Sequence, residues 1–183
     1  LQSPVKAMSF DEQMANMREQ NAKGANILAQ ISMRGTGLIL GWRTTFNPFS
    51  FKPSWAEVAE LEETAQLEKL ADPDFKQKLI TEASVYPESD LQMLGELMAN
   101  GFSMQYELSD DFDYEPTAQQ SIAYLAEEAG VSGAEYAYDL LMSEGGTGFI
   151  YFPLLNYADG NLNFLEPVLQ SDDCINSLSD GGA

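Results

Sequence analysis

The chain has 183 residues, 44% of them hydrophobic and 21% charged, a balance that excludes a disordered chain and predicts a packed core. Nine Lys plus Arg against 29 Asp plus Glu leave a formal charge of -20, which repels phosphate backbones and anionic lipid surfaces and argues against nucleic acid and membrane as partners. The chain contains no histidine, so no imidazole can serve here as ligand or base.

In chain order, Ser9 and Glu12 have the spacing of a capping box, predicting a helix over 10–23 that Gly24 ends. Residues 27–33 form an apolar run with a β-leaning middle, read as a buried strand that leads into a glycine-punctuated loop. From Thr44 to Pro53 the chain is an irregular aromatic loop. Ser54 and Glu57 repeat the capping box, and Trp55, Val58, Leu61, Ala65 and Leu70 give the following helix an apolar face. Asp72-Pro73 starts another helix, and Ser89 with Gln92 a third that ends at Asn100-Gly101.

Residues 102–108 alternate apolar and polar side chains, the period of a half-buried strand. After an acidic turn, Thr117 with Gln120 and Ser132 with Glu135 cap two more helices. Residues 148–153 read as a strand, 161–170 as a helix and 174–178 as a last strand. The length fits about one domain, short of the roughly 250 residues of a complete eight-stranded α/β barrel. Cys174, the single cysteine, forms no internal disulfide, which fits a reducing, cytoplasmic compartment. No apolar stretch reaches the ~18 residues of a membrane span, and 1–6 lack a signal-peptide core.

Asp180 lies between an apolar run and two glycines, which let the backbone turn and expose the acid. Ser179-Asp180-Gly181 is more often an ordinary turn. Asp159, Asn161 and Asn163 resemble the start of a calcium loop, but that motif fails at Phe164 and Gln170. Asp110, Asp111, Asp113 and Glu115 read first as a solvated acidic turn, and Gly145-Gly146-Thr147-Gly148 as a hinge. Arg34 follows the buried strand, where a guanidinium can hold a carboxylate with two parallel hydrogen bonds; pairing with one of the chain's many acids is an equal alternative. Trp42, Phe46, Phe49 and Phe51 either line a substrate pocket or pack among themselves.

Six separated motifs keep the order found in one family: Gln30-Ile31-Ser32-Met33-Arg34, Leu70-Ala71-Asp72-Pro73, Asp113-Tyr114-Glu115-Pro116, Tyr138-Asp139-Leu140-Leu141, Asn156 to Leu162, and Leu178-Ser179-Asp180-Gly181-Gly182-Ala183. Together they resemble the amidohydrolase family containing the N-acyl-D-amino-acid deacylases, or D-aminoacylases. The resemblance spans nearly the whole chain but covers only the C-terminal half of that family's catalytic barrel.

The resemblance implies an α/β fold, part of a zinc-dependent (β/α)8 TIM barrel, over 1–183, with 27–33 and 174–178 as its seventh and eighth strands and a helical lid inserted at 44–142. It implies hydrolysis of an amide C–N bond in N-acyl-D-amino acids or related amides, with Asp180 as both the catalytic aspartate and a metal ligand, and Arg34 and Tyr157 as substrate contacts. The family's histidines and bridging Cys or carboxylated Lys have no counterpart here, and Cys174 does not match that cysteine. A zinc site takes about three or four protein ligands, so the expectation is a fragment that needs the remainder of the barrel and by itself binds no zinc and hydrolyses nothing. The alternative is a non-enzymatic acidic interaction module on the same scaffold.

Overall fold

The computed structural model describes residues 9–89 and 91–177. Over these the chain is a mixed α/β protein, with seven α-helices and five short strands in two small sheets. Neither sheet closes into a barrel among the described residues. Two compact units emerge, the first from Leu1–Leu38, Asp113–Thr117 and Pro153–Ala183, the second from Ile39–Phe112 and Ala118–Phe152.

In the first unit, helix α1 (Phe10–Ala22) begins with the predicted capping box: the Ser9 hydroxyl accepts from the Glu12 amide, and the Glu12 carboxylate accepts from the Ser9 amide at 2.7 Å. Asn21 then acts as a substitute peptide group. Its side chain donates to the Ile27 carbonyl at 2.8 Å and accepts from the Ile27 amide at 2.9 Å, turning the chain from α1 into strand β1 (Ala29–Ile31). Strand β2 (Thr36–Leu40) follows.

Near the other end of the chain, helix α7 (Leu165–Leu169) precedes strand β5 (Cys174–Asn176), which lies parallel to β1 with Ala29 opposite Cys174 and Ile31 opposite Asn176. Ile31, Leu165 and Val168 form the buried core beside this pair, with Phe10 and Phe164 packed edge to face at 5.8 Å. Arg18 of α1 donates to Asp173 at 2.6 Å, just before β5. That bond and the nearby carboxylate charge raise the guanidinium pKa still further.

The second unit is mainly helical: α2 (Glu63–Leu70), α3 (Pro73–Thr81), α4 (Leu91–Asn100), α5 (Ile122–Ala129) and α6 (Gly133–Gly146). Two-residue strand β3 (Tyr106–Glu107) pairs antiparallel with the start of strand β4 (Ile150–Leu155). The core is aromatic. Trp42 stacks on Phe49 at 5.6 Å and on Trp55 at 5.5 Å, and Tyr138 meets Trp42 edge-on at 5.1 Å. Leu70, Leu79, Met98, Ile122 and Leu141 surround it, each essentially fully buried, and such a side chain stabilises the fold by ~1.5–3 kcal/mol.

Several sequence expectations hold locally. Asp72 accepts from the Asp74 amide ahead of Pro73, and Ser132 caps α6 through the Glu135 amide. Others yield to distant partners. Ser54 caps no helix, because its amide and hydroxyl both donate to the Glu82 carboxylate at 2.9 Å while Glu57 pairs with Lys78. Residues Pro53–Glu57 therefore form a 3-10 turn, α2 starts only at Glu63, and Leu61 and Ala65 are exposed instead of facing the core.

The predicted strand at 102–108 shrinks to β3 after a 3-10 turn at Phe102–Met104, because Gln105 turns inward. Its side-chain amide donates to the carbonyls of Leu97 and Met98 at the C-terminal end of α4, the first of which also accepts from the Gly101 amide. Ser121, rather than Thr117, caps α5, and the helix expected over 161–170 is confined to α7. Within α6 the backbone leaves helical geometry at Ser143, Glu144 and Gly145, the last two with positive φ. Phe46, Phe49 and Phe51 pack among aromatic neighbours.

Tyr138, 1% exposed, donates its hydroxyl to the Leu70 carbonyl at 2.6 Å. Burial, reinforced by the Asp139 and Asp72 carboxylates, raises its pKa above the ordinary 10.0. As pH rises past 10.0 the unfolded state loses this proton first, so the stabilisation is complete below that value and declines above it. Thermal melts between about pH 9 and 11 should therefore fall more steeply for the unaltered chain than for Tyr138→Phe, which should also cost ~1 kcal/mol at neutral pH. Equal slopes would refute this role.

Candidate functional site

Parallel strands point their C-terminal ends the same way, and in α/β proteins that end is where loops carry chemistry. In the first unit this is the end of the β1–β5 pair. Ser32, Met33 and Arg34 follow β1, and the Ser177 amide, just past β5, donates to the Ile31 carbonyl at 2.9 Å. Ser32 is buried, and its hydroxyl lies 3.1 Å from that of Thr36.

The turn after β1 is held by Asn156, which comes directly after β4 and is fully buried. Its side-chain amide donates to the Ser32 carbonyl at 3.1 Å and to the Arg34 carbonyl at 3.2 Å. The Asn156 backbone has φ 62, a left-handed conformation that asparagine tolerates better than most side chains. The conformation and the two bonds belong together: the backbone turns the side chain, and the side chain closes the turn.

Tyr157, 4% exposed, donates its hydroxyl to the Pro116 carbonyl at 2.8 Å. The Glu115 carboxylate accepts from the Leu162 amide at 2.8 Å, a second tie between the 113–117 segment and the 156–162 loop. Asp113 accepts from the Glu115 amide, so part of the acidic turn is ordered by its own backbone.

Of the sequence candidates, the structure brings the Arg34 turn and Tyr157 into one unit, with Arg34 exposed and Tyr157 anchoring the 113–117 segment. Asp180 lies outside the described residues. Asn156 is the organiser that pattern reading passed over. Its only local signal was an asparagine directly after an apolar strand, Leu154-Leu155-Asn156, where positive φ is often needed.

A zinc centre takes about three or four His, Cys or carboxylate ligands. The chain has no histidine and one cysteine; Cys174 is half-buried at the start of β5. No group of three His, Cys, Asp or Glu side chains able to hold a metal occurs among the described residues.

Asn156→Ala should destabilise the first unit by ~2 kcal/mol, because it leaves two carbonyls without their donor and puts alanine where φ is positive. Urea unfolding measures this, and an unchanged midpoint would show that the clasp contributes nothing.

No protein-family model, no curated protein and no solved structure matches the chain.

Proposed function

We propose that this chain supplies strands of a (β/α)8 barrel and a catalytic aspartate to a zinc-dependent amidohydrolase that deacylates N-acyl amino acids. The observation that supports it most is the β1–β5 pair. Two stretches far apart in sequence, each resembling a consecutive barrel strand of that family, lie parallel and in register, as consecutive strands of such a barrel must. Antiparallel pairing would have removed the reading.

In this reading the Asp180 carboxylate, four residues past Asn176, accepts a proton from water as the water oxygen attacks the amide carbon. It then delivers that proton to the departing nitrogen, giving a carboxylic acid and an amine. Arg34, at the end of β1, binds the substrate carboxylate through its guanidinium. Tyr157 lies next to Asn156, which holds the Arg34 turn, and forms part of the substrate wall. Asp180 would also be the one metal ligand that this chain contributes, with the other ligands supplied by the remainder of the barrel.

The test uses the complete polypeptide encoded with this chain, assayed against N-acetyl-D-amino acids. Asp180→Asn should lower turnover by about 10²–10⁴-fold, the usual worth of a positioned acid-base group, with an unchanged thermal midpoint. Wild-type rates in that variant would remove Asp180 from the mechanism. A complete polypeptide that includes metal-ligand segments but hydrolyses no N-acyl amino acid would sink the hydrolase reading.

A further inference from the structure

The second unit holds a cleft of about 460 Å³ between the 42–45 segment and the 55–62 segment. Its volume falls within the range of small-molecule sites. Trp42 and Trp55 are among its lining residues, stacked at 5.5 Å with an interplanar angle of 23°; Trp42 is buried and Trp55 is the more exposed of the two. The Trp42 ring nitrogen is buried without a hydrogen-bond partner.

The charged lining is mixed. Arg43 contributes a guanidinium, which donates to the Leu61 carbonyl at 3.2 Å and is thereby steadied at the cleft. Glu60 and Glu62, both exposed, are the acidic residues of its lining. Arg43 pairs with neither of them, nor with any other carboxylate among the described residues. In a chain of charge -20, an arginine that shares a cleft with two acids yet pairs with neither puts residues of opposite charge in the lining of one space.

We infer that this cleft binds a free α-amino acid, with its carboxylate on Arg43, its ammonium toward Glu60 and Glu62, and its apolar side chain against Trp55. A simple anion would be repelled by the two carboxylates and a simple cation by the guanidinium; a zwitterion satisfies both. An N-acylated amino acid has no ammonium and loses half of the match. The inference stands on this cleft alone and does not depend on the hydrolase reading, although a free amino acid is also the product class of that reaction.

The chain has only two tryptophans, and both line this cleft, so their indole N–H resonances report on it without interference. In the full chain, titration with leucine, as either enantiomer, should shift the Trp42 and Trp55 indole signals saturably, with half-saturation at about 1 mM or below. N-acetyl-leucine and leucine methyl ester, each lacking one charge, should bind at least ~10-fold more weakly, and Arg43→Gln should abolish the leucine response. Equal binding of leucine and N-acetyl-leucine would overturn the inference, as would no saturable shift with either leucine enantiomer. An undiminished response in Arg43→Gln would do the same. The three-ligand comparison on the unaltered chain needs no variant, so it decides the question even if Arg43→Gln fails to fold.

Discussion

Buried carbonyl oxygens that regular structure does not pair are the constraint on which both units depend. A buried backbone carbonyl without a donor costs about as much as a lost hydrogen bond, and strands of two to six residues leave many such groups. Side chains supply the donors. Asn156 serves Ser32 and Arg34, Tyr157 serves Pro116, Tyr138 serves Leu70 and Gln105 serves Met98. All four side chains are buried.

These same bonds gather the sequence motifs. Gln30 to Arg34, Asp113 to Pro116 and Asn156 to Leu162 belong to the first unit, tied by Asn156, Tyr157 and Glu115. Leu70 to Pro73 and Tyr138 to Leu141 belong to the second, tied by the bond from the Tyr138 hydroxyl to the Leu70 carbonyl. Motifs that stand far apart in the chain therefore meet as donor and acceptor, which gives each a structural reason for its residues independent of any chemistry. Leu178 to Ala183 lies outside the described residues.

The charge of the chain is handled differently in different places. Glu57, Asp139, Asp173 and Glu19 each find a lysine or arginine, and the Glu57 pKa is lowered by its bond to Lys78. Glu82 is instead held by the Ser54 amide and hydroxyl, and Glu115 by the Leu162 amide. With so few cations available, the protein recruits neutral donors for its carboxylates. Arg43, in the same cleft lining as Glu60 and Glu62, makes no ion pair among the described residues.

What the sequence determined by itself is what acts over three or four residues or over the whole composition: the Ser9–Glu12 box, the Asp72-Pro73 start, the Ser132 cap and the lack of imidazole chemistry. The positions of the β1 and β5 strands were legible too, because each is a short apolar run between breakers. Their parallel register was not, since a strand's partner is chosen across the fold. Tertiary structure alone sent Ser54 to Glu82 rather than to Glu57, turned Gln105 inward against its alternating pattern, and made Asn156 the clasp of the β1 turn. The reason is the same each time: a polar side chain in a local motif has several possible partners, and which one it takes is decided by whichever carbonyl or carboxylate packing has buried beside it.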